Sequence, residues 1–165
     1  MNHSILIPRI ETITERKLVG LCRTMSFAKF ELVQLWQAFR PLRKSIENPV
    51  NSDAISLAIY QPEHFGHFDP NRSFEKWASV EVSDWENIPD GLEILWLPGG
   101  KYAVFQYKGS STDTSIYQYI FGSWLPQSDF ELDQRPHFEV LGSKYRNNDP
   151  ESEEEIWIPI REKTK

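Results

Sequence analysis

The sequence has one cysteine, no long apolar run and no basic block. Cys22 stands alone, so no intrachain disulfide can form. It reads as a small buried apolar residue in a reducing compartment. No stretch approaches the about 18 apolar residues of a membrane-spanning helix. Met1 is not followed by the basic and apolar regions of a secretory signal, so a cytoplasmic protein with no membrane partner is expected. Lys and Arg number 18 against 24 Asp and Glu, a net charge of -6. That balance suits a site attractive to cations and argues against direct nucleic-acid contact. A glycine-rich phosphate loop, a serine nucleophile elbow and a paired metal-carboxylate motif are all missing. His64, His67 and Asp69 imitate a ligand spacing, but they lie in a Pro- and Gly-containing segment with no second His or Cys pair. A solvated loop is the better reading, and neither metal nor cofactor is expected.

What the chain does have is rings. Aromatic residues make up 13% of it, six of them Trp, enough for a bulky core or a cavity walled by rings. After a lead-in over residues 1–8, Arg9 to Cys22 alternates as a strand. Leu32, Leu35, Trp36, Phe39 and Leu42 then recur at helical spacing, predicting a helix over Lys29 to Arg40 that ends or kinks at Pro41. Ala54 to Tyr60 and Phe74 to Val82 read as strands, and Ser83 to Gly91 as a polar connection. The plan then repeats. A strand around Tyr102 to Tyr107 precedes a helix capped by Thr112, carrying Ile116, Tyr119, Ile120 and Trp124 and stopped by Pro126. Strands follow over Phe138 to Tyr145 and Glu155 to Ile160.

Each half is therefore strand–helix–strand–strand, over about 9–83 and 91–161 of a single domain spanning 1–165. The fold class expected is α+β, a tandem β-α-β-β repeat with pseudo-twofold symmetry. One helix covers only one face of a three-stranded sheet, so two such units bury their remaining surface together and leave a central aromatic-lined groove.

In the final strand, Glu153, Glu155 and Trp157 alternate with Ile156, Ile158 and Ile160. The isoleucines ask for a core. Glu155 beside the Trp157 indole makes a trap for an organic cation, with a cation–π face of about 0.5–2 kcal/mol. Glu151, Glu153 and Glu154 read as a solvated acidic rim. A symmetric hairpin from Phe138 to Ile160 would set Tyr145 opposite Glu155. Glu139 reads as structural support, or as a partner of Arg161.

Several segments together resemble the gyrase-inhibitor-like (GyrI-like) small-molecule-binding superfamily, also called the AraC-type effector-binding domain. They are Leu35-Trp36…Phe39, Phe74-Glu75-Lys76-Trp77-Ala78…Glu81-Val82, Gly100-Lys101-Tyr102-Ala103-Val104-Phe105…Gly109, Trp124-Leu125-Pro126…Ser128, Arg135-Pro136-His137-Phe138-Glu139 and Glu153 to Pro159. The resemblance covers about residues 9 to 161 and is the more specific in the second half. It implies duplicated SHS2-type modules around a U-shaped groove, with a ligand-recognising glutamate just ahead of the last strand, at Glu155. It also implies a stand-alone member without its own DNA-binding helix-turn-helix.

The ligand-binding residues expected are Glu155, Trp157, Tyr145, Trp36, Trp77, Tyr60 and Tyr102. The first function they suggest is binding of a cationic, amphipathic small molecule, for sensing, sequestration or regulation through a protein partner such as a transcription regulator. The second is a hydrolase of strained cyclopropane-type electrophiles, with Glu155 as general base and Tyr145 orienting the water. The third is a protein-interaction module with a vestigial groove. A monomer or weak dimer is expected.

Overall fold

The computed structural model describes residues 6–164, so residues 1–5 of the expected lead-in lie outside the described residues. Nine strands form one sheet, with β1 Arg9–Ile13, β2 Arg16–Met25, β3 Ala54–Ile59, β4 Phe74–Val82 and β5 Glu93–Leu97. The second half supplies β6 Gly100–Lys108, β7 Phe130–Leu132, β8 His137–Leu141 and β9 Glu153–Glu162. The strand order is β1-β6-β9-β8-β3-β4-β2-β5, with β7 added to β9, and every pairing is antiparallel. Together with α1 (Leu32–Arg43) and α2 (Ser115–Tyr119) this is an α+β fold. The two β-α-β-β units are β2-α1-β3-β4 and β6-α2-β8-β9. They join edge to edge through β3 and β8, with Ser56 opposite Glu139 and Leu57 opposite Phe138.

Several local expectations change. The single strand expected over Arg9 to Cys22 is broken at Thr14-Glu15 into β1 and β2, which pair with different partners, β6 and β4–β5. The first helix starts later, at Leu32, because Ser26 and Lys29 close a turn through reciprocal backbone bonds of 3.2 Å. It also runs through Pro41 to Arg43. Pro41 and Gln37 are both exposed, so the carbonyl that Pro41 cannot serve is left to water.

Pro126 does not stop the second helix either. The chain passes from α2 into a π-helical turn, Ile120–Trp124, and then into α3, Leu125–Gln127. The widened turn relaxes the clash between the Pro126 ring and the preceding turn. It also seats Trp124 edge-on against Phe105, with ring centroids 5.2 Å apart.

Only Pro98 and Gly99 separate β5 at one end of the sheet from β6 near the other. So short a link forces the sheet to curl. Its inner face closes on one cluster that includes Leu18, Leu57, Leu97, Tyr102, Phe138 and Trp157. The outer face carries two further clusters. Leu35 and Phe39 of α1 cover Val19, Ala78 and Val80, while Ile116 and Ile120 cover Phe105, Ile156 and Ile158. The strands at the seam, β3 and β8, lie between the two helices. There the outward side chains of β3 are small, Ser56 and Ala58, so the seam is the floor of a trough.

Phe138 pins that seam from inside, paired with Leu57 on β3 and Trp157 on β9 and stacked on the Trp157 ring at 5.0 Å. Phe138→Ala is expected to cost about 3–5 kcal/mol, the range for a buried ring replaced by a cavity. Urea unfolding followed by circular dichroism measures it, and a loss under about 1 kcal/mol would contradict the pinning role.

Candidate functional site

The seam trough gathers ionisable groups from both halves. On its floor Glu139 of β8 lies opposite Ile156, one step diagonally from Glu154 on β9, and Lys76 of β4 lies across from Ala58. Glu154 and Lys76 are 6% and 9% exposed, and both belong to the outer face. Glu154 is therefore no solvated rim. The period-two rule places it with Ile156, Ile158 and Ile160, the face that packs under α2. Tyrosines form the walls: Tyr60 at the end of β3, Tyr117 on α2, and Tyr145 in the loop between β8 and β9.

Burial sets the protonation states here. The Glu154 carboxyl is pushed well above the usual range, by desolvation first, then by the hydrogen bond its protonated form donates to Glu139 and by the charge of Glu139, with Lys76 opposing. Two carboxyls in mutual contact in a dry site do not both ionise cheaply, so Glu154 holds a proton at neutral pH. Its Oε2 is buried with no partner among the described residues. Desolvation lowers the Lys76 ammonium, against the attraction of Glu139 and Glu154. Tyr117 is raised by desolvation, then by Glu139 and Glu154. Tyr60 is raised by desolvation, then by Glu139. His137, on the same floor, falls to about 3 through desolvation, then repulsion from Lys76, His64 and Arg135, and is neutral.

Of the residues singled out from sequence, Tyr60 and Tyr145 belong to this cluster. Tyr145 feels Glu154, Glu139 and Arg40. It does not lie opposite Glu155, because β8 ends at Leu141 and the residue facing Glu155 is Val140. Glu155 lies on the inner face. Its carboxylate accepts bonds from Arg9 Nη2 at 2.9 Å, Gln106 Nε2 at 2.6 Å and the Trp157 indole at 3.1 Å.

Trp157, Trp77 and Tyr102 are buried in the inner-face cluster. The guanidinium groups of Arg9 and Arg16 already stand over Trp157, at 5.8 and 5.3 Å. Trp36 is half-buried beside the α1 cluster, edge-on to Phe39 at 5.8 Å. Arg161 pairs with Glu131 and Asp133, at 3.2 and 3.7 Å, rather than with Glu139.

Sequence reasoning does not reach Lys76, Tyr117 or His137 as trough residues. The loop between β3 and β4 is not simply solvated either. His64 packs on Tyr60 at 4.4 Å, and its Nδ1 is buried.

A trough between two helices on a duplicated β-α-β-β sheet, floored by a carboxyl pair and walled by tyrosines, invites comparison with known proteins. The family model of the GyrI-like small molecule binding domain matches residues 7–161. The chain belongs to this family. The chain is also similar to the transcriptional regulator BrlR of Pseudomonas aeruginosa, 29% identical over 129 residues, which are 77% of this chain and 45% of that protein. The chain thus spans under half the length of that regulator.

The structure of SAV2435 bound to tetraphenylphosphonium superposes with a TM-score of 0.67 at 17% identity, over 93% of each chain. A hydrolase from Listeria innocua superposes with a TM-score of 0.60 at 9% identity, over 94% of this chain and 92% of its own. At these identities both show a shared fold. Among the described residues no helix is long and apolar enough to cross a membrane.

A carboxyl raised in the folded state binds its proton more tightly there than in the unfolded chain. Stability from Glu154 is therefore fully present below the ordinary value of 4.5 and is lost as pH rises toward the folded value. Stability should decline from pH 5 to pH 8. Glu154→Gln, which mimics the protonated acid, should flatten that decline and be the more stable form at pH 8 by on the order of 1 kcal/mol. Urea midpoints across the pH series test this, and an unchanged slope in Glu154→Gln would refute the assignment.

Proposed function

We propose that this GyrI-like domain binds a lipophilic organic cation in the seam trough, with Glu139 and Glu154 as counter-ions and Tyr60, Tyr117 and Tyr145 as walls. The observation that carries the reading is the buried Glu154 carboxyl in contact with half-buried Glu139, only partly offset by Lys76. A cation entering the trough would meet little water to compete with it, so the attraction is stronger than at an exposed site. It would also replace the proton on Glu154. Aromatic faces favour a cation whose charge is spread over apolar groups. The tetraphenylphosphonium held by SAV2435 has that chemistry. The biological output would be ligand sensing, sequestration or regulation through a protein partner.

A second reading uses the same pair. A carboxyl kept protonated in contact with a second carboxyl is an acid–base combination suited to adding water to a strained electrophile. Turnover of a cyclopropyl electrophile that disappears in Glu139→Gln and Glu154→Gln would favour hydrolysis over binding.

Calorimetric titration with tetraphenylphosphonium tests the first reading. Glu139→Gln and Glu154→Gln should each weaken binding by about tenfold or more, and Glu155→Gln by less than about threefold. Affinity should rise from pH 6 to pH 8, with a proton released on binding. Unchanged affinity in both Glu139→Gln and Glu154→Gln would rule the trough out.

A further inference from the structure

The loop over residues 60–73, between β3 and β4, carries Phe65 onto the rings that edge the trough. Its centroid lies 5.1 Å from Tyr60, 5.1 Å from Phe121 and 5.3 Å from His137, nearly parallel to the last at 14°. Phe121 lies one helical turn beyond Tyr117, so these three rings connect the first half, the second helix and the seam floor. Phe65 nonetheless remains 44% exposed. A ring that completed a core would be enclosed, whereas this one lies on top of the others.

The loop is braced chiefly by itself. Arg72 Nη1 donates to the carbonyl oxygens of Glu63, His64 and His67, at 2.9, 3.2 and 3.1 Å. The Gly66 amide donates to the Glu63 carbonyl at 3.0 Å, and the His64 amide to the Gln61 carbonyl at 2.9 Å. Residues 63–67 thus form a small closed unit, of the kind seen in compact surface loops. It meets the trough through ring contacts, which have no fixed register and are readily exchanged for other rings.

We propose that Phe65 is an internal stand-in for part of the ligand. Its side chain fills an aromatic subsite made by Tyr60, Phe121 and His137, and a ligand's flat ring must displace it to enter. This rests on the reading of the seam trough as the cation site, and it adds a selection rule. Cations bearing a flat ring recover the contacts that Phe65 gives up, whereas purely aliphatic cations do not. The displaced conformation is a minor one, so apparent affinity for an aromatic ligand is reduced by the fraction of molecules already open.

Two probes separate the possibilities: acridine orange, a flat aromatic cation, and tetrabutylammonium, an aliphatic one. Phe65→Ala should bind acridine orange about tenfold more tightly than wild type and tetrabutylammonium within about threefold. Phe65→Leu keeps the apolar bulk but not the flat ring. It should show a smaller gain in the same direction, and it serves if the alanine variant melts early. Equal constants for wild type and both variants with acridine orange, alongside weakening by Glu154→Gln, would refute the stand-in role while leaving the trough intact. Weaker binding in Phe65→Ala with an unchanged melting temperature would make Phe65 a direct ligand contact and refute the proposal. No binding of either cation to any form would remove both readings.

Discussion

The antiparallel pairing of β3 with β8 is the contact on which everything else depends. It turns two small β-α-β-β units, each with one covered sheet face, into a single curled sheet. Inside the curl, Leu57, Phe138 and Trp157 line up across three adjacent strands and exclude water. Outside it, the two helices are held apart by the width of the seam. At the seam between them the outward side chains of β3, Ser56 and Ala58, are small, which leaves room for the ionisable side chains of the neighbouring strands.

The trough floor is costly to desolvate. Two carboxyls, one ammonium and several tyrosine hydroxyls sit among apolar residues, and each would be better hydrated in the unfolded chain. The molecule meets that cost by keeping one carboxyl protonated and by setting Lys76 near both. A single ion pair could have been neutral without leaving anything over. On the proposed reading, a carboxyl pair with one lysine leaves the site able to take up one more positive charge in exchange for a proton, and the electrostatic work of recognition is done during folding, before a ligand arrives.

Much of this was legible in the residues. Alternating runs and helical spacing are local signals, so the order of strands and helices follows from them, as does the duplicated plan. The break at Thr14-Glu15 was not legible, because neither residue disrupts a strand and only the different partners of β1 and β2 divide them. Proline rules misplace both helix ends, since one Pro lies on a solvated face and the other beyond a widened turn. The final strand is the most instructive part. A search for a carboxylate next to an indole selects Glu155, while extending the isoleucine alternation one step back selects Glu154, the glutamate beneath the second helix. Parity was available in the sequence, and the three consecutive glutamates concealed which one lies beneath the helix. Lys76, Tyr117 and His137 come together only through β3–β8 pairing and helix docking, and no local pattern encodes those.

The first and fifth strands carry a further consequence. β1 leaves its own half to border β6, while β5 crosses back to border β2. Each half thus borrows an edge from the other, as two hands do with interlaced fingers. A fragment cut within the connection at 83–91 would lose the strand that shields its flank and expose a bare hydrogen-bonding edge. The duplication visible in the chain therefore no longer corresponds to two separable pieces, and the two halves melt, or persist, as one.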